Sequence, residues 1–222
     1  MNEQRTGKFS SKTLVTMAML CAIAFIAKWI SNFLPTVQGF LSFDLKDVVI
    51  AIGGFILGPL QAALIALIVS LIEMITISST GPIGLVMNLL SSCSFACIAA
   101  AIYRRNKNMK SAVAGLVCGV VCMTVIMLLW NWLITPLYMG VPRSVVAGML
   151  MTVFLPFNLA KGGINATLTM VLYKPVVTAL RKAGLVAQSD AGKRTTKWGV
   201  LAVSLVLLVT FILWGLVLAK VI

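Results

Sequence analysis

The sequence predicts an all-α integral membrane protein with seven crossing helices, and three observations carry that reading. First, 60% of the 222 residues are apolar and only 10% are charged, with a mean hydropathy of +1.06. Soluble domains carry about 25% charged residues. This chain has too few charges to keep a folded surface dissolved, and too much apolar material to remain disordered. Second, the apolar residues fall in runs close to the roughly 20 residues that a spanning helix needs. Third, the basic residues are clustered. Arg5, Lys8 and Lys12 form one block, Arg104, Arg105, Lys107 and Lys110 a second, and Lys174, Arg181, Lys182, Lys193, Arg194 and Lys197 a third. Short basic loops stay on the cytoplasmic side, so all three blocks and the N-terminus are read as cytoplasmic. In a soluble protein the net charge of +13 would suggest a nucleic-acid partner. Here its placement between apolar runs reports membrane sidedness instead.

The spans follow in order. The first runs from Thr13 to about Ile30. A signal peptide is the rival reading, with Ala22-Ile23-Ala24 as its cleavage site, but the apolar run continues through that site. Val48 to Ile72 is 25 residues without a charge. Read as one helix, it would put the Arg104–Lys110 block outside; read as two, both basic blocks lie inside. Gly58-Pro59 supplies the break, giving helices over about Asp44–Leu57 and Leu60–Ile77. The first of these is short, so it lines a cavity or sits behind neighbours. Further spans are expected over about Ile83–Tyr103, Ser111–Thr135 and Ser144–Tyr173, with an outer loop over Pro136–Pro142. A basic connector, Lys174 to Lys197, leads to Trp198–Ala219, 22 residues without a charge. By domain, residues 1–182 form the binding unit, 183–197 a cytoplasmic linker and 198–222 an additional helix. The C-terminus is then outside, and Lys46 and Arg143 are the main basic residues of the outer loops.

Polar residues at bilayer depth mark the candidate site, because each charge there costs roughly 2.5–3.5 kcal/mol. Asn158, Lys161 and Asn165 share an arc of about 60° on the sixth span at 100° per residue, and Thr169 extends the stripe. This is either a hydrogen-bonded helix seam or a ligand pocket, and the lysine favours the pocket. Pro156 frees a carbonyl, and Gly162-Gly163 permits close approach of a backbone or a flat ligand. Asn88, Ser91, Ser92 and Phe95 lie on one side of the fourth span, and Asn131 sits between Trp130 and Trp132 on the fifth. The first outer loop, Pro35 to Asp47, carries Phe40, Leu41 and Phe43. It either dips into the interface or lids a pocket. Asp44 and Asp47 either pair with Lys46 or cap the next helix, and Glu73 faces Lys28 or Lys161. The five cysteines, Cys21, Cys93, Cys97, Cys118 and Cys122, lie in apolar stretches and read as packing residues. The chain has no histidine, no phosphate-binding loop and no paired acids at catalytic spacing. Uphill transport therefore needs energy from a partner.

Three stretches resemble the substrate-binding S component of energy-coupling factor (ECF) vitamin transporters. They are Phe43-Asp44-Leu45-Lys46-Asp47 running into Gly54-Phe55-Ile56-Leu57-Gly58-Pro59-Leu60, Pro156-Phe157-Asn158-Leu159-Ala160-Lys161-Gly162-Gly163 through Asn165 to Tyr173-Lys174, and Ala18-Met19-Leu20-Cys21-Ala22. The resemblance covers about residues 12–182 and is strongest to the riboflavin-specific members. It implies a six-helix S-component bundle, to which this chain adds a seventh C-terminal helix. It implies a non-enzymatic vitamin binder with riboflavin as transported ligand and no cofactor. Its partners would be a transmembrane T subunit docking on Ala18 and Ala22, and two cytosolic ATPases. By the same resemblance Asn158 and Lys161 contact the flavin, with Asn131 and Asn88 at polar positions on the fifth and fourth helices; the stripe on the sixth span adds Asn165 and the outer loop adds Leu41, Phe43 and Asp44 as further contact candidates. Phe43, Phe95 or Trp130 would cover the ring face. The alternatives are another vitamin such as folate or thiamine, a stand-alone facilitator, and a small membrane enzyme. The last would want clustered acids or histidines, which the sequence lacks.

Overall fold

The computed structural model describes residues 10–78, 80–185 and 198–221. Helix α1 (Ser11–Ser31) opens at Ser10, whose side chain accepts from the Thr13 amide. It is unbroken, with Leu20 and Ala24 fully buried, so the cleavage-like tripeptide lies in mid-helix. A small hairpin follows, β1 (Thr36–Val37) antiparallel to β2 (Leu41–Ser42), with Val37 opposite Leu41. Gln38 and Gly39 turn it at φ 55° and 76°, where glycine carries no Cβ penalty.

Helices α2 (Lys46–Leu57) and α3 (Pro59–Thr76) are separate, as the charge argument requires. Gly58 sits between them at φ 118°, and Pro59 begins α3, where a missing N–H removes no helical bond. The 12 residues of α2 reach about 18 Å at 1.5 Å per residue, well short of a hydrocarbon core of about 30 Å. Their burial resolves how so short a helix survives: from Lys46 to Phe55 every residue except Val49 is buried. Neighbouring helices shield α2.

Helix α4 (Gly81–Ser92) passes through a π-helical turn at Cys93–Cys97 into α5 (Ile98–Asn106). Asn108 caps α6 (Met109–Met139) by accepting from the Ser111 amide at 2.8 Å. Helix α6 corrects one expectation, since it runs through Pro136 to Met139 rather than ending at Thr135. Proline there deletes a single backbone bond in the final turns. Helix α7 (Arg143–Met149), a second π turn at Leu150–Phe154 and α8 (Leu155–Lys182) form the next continuous rod. Pro156 explains the π turn, because its ring presses on the carbonyl four residues earlier and the wider turn relieves it. The rod continues nine residues past Tyr173, through Pro175, so Lys174, Arg181 and Lys182 are helical rather than part of a connector. Helix α9 (Trp198–Leu218) packs along α8. Arg5, Lys8 and the segment 186–197, with Lys193, Arg194 and Lys197, lie outside the described residues.

Among the described residues six helical segments are long and apolar enough to cross a membrane. With α2 sheltered among them, this is an all-α membrane bundle. The hairpin lies at one end, and Arg104, Arg105, Lys107 and Lys110 lie at the other.

Small residues set the helix spacing. A Cβ on Gly115 would sit 2.6 Å from the Ala99 carbonyl oxygen, and one on Gly119 would sit 2.6 Å from that of Phe95. Helix α6 thus meets the π turn and the start of α5 backbone to backbone. Gly162 faces Val120 and Met123 of α6, whereas Gly163 faces the ring of Phe211 on α9. The glycine pair serves helix packing on two sides; it is not the face of the pocket. Phe95 is fully buried under Gly119, which removes it as a ring-covering residue.

Gly119→Val forces its side chain into the Phe95 carbonyl, and overpacking of this kind costs about 1–3 kcal/mol. Thermal unfolding in detergent should show a clear drop in midpoint. Gly148→Ala, where a Cβ meets nothing within 4 Å, should leave the midpoint unchanged.

Candidate functional site

Six charges are buried at the hairpin end of the bundle, and they cancel. Lys28, Lys46 and Lys161 face Asp44, Asp47 and Glu73, all less than a tenth exposed. Asp44 lies 3.2 Å from Lys46 Nζ and 3.7 Å from Lys28 Nζ. It also accepts from the Lys46 backbone amide at 3.1 Å, so it pairs with Lys46 and satisfies the first amide of α2, although Leu45 rather than Asp44 is the N-cap. Glu73 takes Lys28 at 3.4 Å, the ammonium of Lys46 and the amide of Asn88 at 2.9 Å. Of its two expected partners, Glu73 therefore takes Lys28. Lys161 instead lies 3.9 Å from Asp47, whose other oxygen accepts from Ser92. Lys46 is 1% exposed, which corrects its reading as an outer-loop basic residue. Ser31 ties the network to α1 by accepting from the Leu45 amide at 3.0 Å.

Directly against this network is a cavity of about 50 Å³. The hairpin and its exit contribute Phe40, Leu41, Ser42 and Asp44; α4 contributes Met87, Asn88 and Ser91; α6 contributes Met127 and Asn131; α8 contributes Phe157, Asn158 and Lys161. Helices distant in sequence thus place three amides, one ammonium and one carboxylate around one small space. Asn158 donates to the Phe154 carbonyl at 2.8 Å. Asn131 donates to the Met127 carbonyl at 2.7 Å and accepts from Thr135 at 2.9 Å. These local bonds fix both amide orientations on the cavity wall.

Six of the eight expected contact residues line this cavity: Asn158, Lys161, Asn131, Asn88, Leu41 and Asp44. The other two do not. Asn165 is one turn further along α8, 1% exposed, with its amide nitrogen unpartnered. Phe43 is not part of the cavity lining and packs 5.2 Å from Phe157, centroid to centroid. Trp130 packs against the bundle core, so neither it nor Phe43 covers the cavity. Of the residues that do so, only Phe40, in the outer loop, was singled out from the sequence. Phe40 and Phe157 are the aromatic walls, and Met87 and Met127 are thioether walls of a kind that favours aromatic contact. Met87 lies four residues before Ser91 and Met127 four before Asn131, so the helical period through those polar residues pointed toward them.

Ala18 and Ala22 lie elsewhere. Both are exposed, and they flank an apolar groove of about 410 Å³ lined by Leu14, Met17, Cys21, Phe25, Ile68 and Ile72.

The sequence profile of the family described as ECF transporter, substrate-specific component, matches residues 12–173. The chain belongs to this family. It is 30% identical over 178 residues to a Staphylococcus aureus protein named riboflavin transporter RibU, covering 78% of this chain and 94% of that one. It is 28% identical over 189 residues to the Bacillus subtilis riboflavin transporter FmnP, covering 78% of this chain and 97% of that one. A solved structure of the S component of a bacterial ECF transporter superposes with a TM-score of 0.64 at 31% identity, covering 77% of this chain and 98% of that one. An S component is a transporter's substrate-specific part, not an enzyme, and multi-pass membrane residence follows from the family and the apolar helices. The family match ends at residue 173, so α9 lies beyond it.

Lys46→Met leaves Glu73 and Asp44 with one cation fewer in a buried site. Breaking such a network costs about 3–5 kcal/mol. The double variant Lys46→Met/Glu73→Gln restores neutrality and should recover much of that loss. A thermal melt of both variants in detergent tests this; a double variant as unstable as the sum of its two single changes rules out charge balance as the cause.

Proposed function

We propose that the chain is the riboflavin-binding S component of an ATP-driven vitamin importer. The observation that carries this is the convergence of Asn158, Lys161, Asn131 and Asn88 on a cavity walled by Phe40, Phe157, Met87 and Met127. The edge of an isoalloxazine ring alternates carbonyl and N–H groups. An asparagine amide offers a donor and an acceptor together, and lysine offers three donors. The apolar walls suit the ring faces. The names of the S. aureus and B. subtilis relatives support the same ligand.

The cavity, at about 50 Å³, is smaller than the roughly 300 Å³ of a typical small-molecule site. Flavin admission therefore requires the hairpin to lift. Its returning strand, Phe40 to Ser42, lines the cavity, so the loop acts as the lid. The basic end is cytoplasmic, by the positive-inside rule, and the cavity opens to the outside. Residues 1–182 form the binding unit, 183–197 link it on the cytoplasmic side, and 198–222 add the seventh helix.

The chain has no phosphate-binding loop, so the driving energy comes from partners: a transmembrane T subunit and two cytosolic ATPases. The T subunit docks along the α1–α3 groove, where exposed Ala18 and Ala22 allow close helix approach. A folate ligand is disfavoured by the cavity wall, which offers Lys161 as its single cation.

The purified protein should be yellow with a flavin spectrum, or should quench added riboflavin fluorescence. Lys161→Ala should weaken riboflavin binding roughly 10- to 100-fold, the loss of one charged hydrogen bond worth about 1.5–3 kcal/mol. A colourless protein that fails to quench riboflavin, yet binds folate or thiamine, overturns the ligand assignment and leaves the family standing. Ala18→Trp should abolish riboflavin uptake in cells while leaving binding by the purified protein unchanged. Uptake at the parent rate would remove the α1 groove as the docking surface.

A further inference from the structure

We propose that α9 positions the hairpin lid through Phe43, so that this added helix sets how readily the site opens. The inference rests on the hairpin acting as the lid, as above. Phe43 is 6% exposed although it lies in a loop. Its ring is held on one side by Phe157 of α8, at 5.2 Å and 50° between ring planes. On the other side stands Gly215 of α9, where a Cβ would sit 3.0 Å from Phe43 Cζ and 3.4 Å from Cε1. Any side chain at 215 would press on the ring.

The contact is part of a wider seam. Gly163 on α8 admits the ring of Phe211, where a Cβ would sit 2.5 Å away. Phe211 stacks with Trp214 at 6.2 Å. Leu218 and Ala219 pack with Val37 and Phe43 in the same apolar cluster. Helix α9 is thus seated on α8 by one glycine–aromatic contact and on the loop by another.

Phe43 is also placed to transmit that seating. Ser42 and Asp44, its chain neighbours, line the cavity, and so does Phe157 on its far side. Lifting the hairpin moves Phe43 relative to Phe157 and Gly215 together. The ring must break its contacts with both helices before Phe40, Leu41 and Ser42 leave the cavity. A helix that only anchored the chain in lipid would have no reason to carry a glycine against the loop. The outward face of α9, with Val203, Val206, Val209 and Leu213 exposed, provides the lipid contact separately.

The test compares the full-length parent with Gly215→Leu, Phe43→Ala and the double variant. Crowding the ring in Gly215→Leu should raise the riboflavin dissociation rate roughly tenfold, about 1.4 kcal/mol. In the Phe43→Ala background the added leucine has space, and it should change the rate no further. Hydrogen exchange of residues 36–45 in ligand-free protein should quicken in Gly215→Leu and not in the double variant relative to Phe43→Ala. Gly215→Ala, with its single methyl 3.0 Å from the ring, gives a smaller shift in the same direction and serves if the leucine variant fails to fold. Parent rates in the folded Gly215 variants, or equal acceleration with and without Phe43, would overturn the proposal. A parent that binds no flavin defeats the ligand assignment instead, and the exchange measurement still decides the role of α9.

Discussion

Charge neutrality inside an apolar bundle is the constraint on which the rest of this structure depends. Lys28, Lys46 and Lys161 are buried with Asp44, Asp47 and Glu73 at the hairpin end. Leaving one of them unpaired there costs about 3–5 kcal/mol. The charges come from α1, the loop before α2, α2 itself, α3 and α8. Neutralising them requires all of those elements to meet at one place. Helix α2 can then be short, because its first turn ends in the network and its remaining turns lie behind neighbours.

The cavity takes its chemistry from the same arrangement. Asp44, Asn88 and Lys161 belong both to the network and to the cavity wall. Groups that had to be paired for the bundle to form are therefore also the groups offered to a ligand. Lys161 is the most loosely held, 3.9 Å from Asp47, and so it is the cation best able to turn toward a new acceptor. The two π turns lie in the helices that line this space. Each re-aims the residues around it without breaking the rod.

Identical spacings acquire different meanings from their surroundings. Ala18 and Ala22 are four apart and exposed, beside an apolar groove. Gly115 and Gly119 are also four apart, yet they are pressed against the Ala99 and Phe95 carbonyls. One pair remains available to another chain and the other closes this one. Helix α9 packs on α8, while the groove lies on α1 and α3, so the added helix leaves that surface open.

The sequence by itself determined the membrane class, the break at Gly58-Pro59 and the polar stripe Asn158, Lys161 and Asn165; it expected seven crossing helices where six segments of the described residues are long enough and α2 is sheltered among them. Each rests on a local rule: apolar run length, basic-block sidedness, the geometry of glycine and proline, or the helical period. The family was legible as well, because its residues occur as contiguous stretches. Tertiary structure alone decided the rest. Whether Glu73 meets Lys28 or Lys161, and which aromatic faces the cavity, depends on distances between helices far apart in the chain. Helical period places Asn165 on the same face as Lys161, but a cavity at the end of a bundle is shallow, and one further turn leaves it. Phe43 looked like a ring cover because it lies in an apolar loop. It is instead buried between Phe157 and Gly215, a slot that exists only when α8 and α9 are side by side.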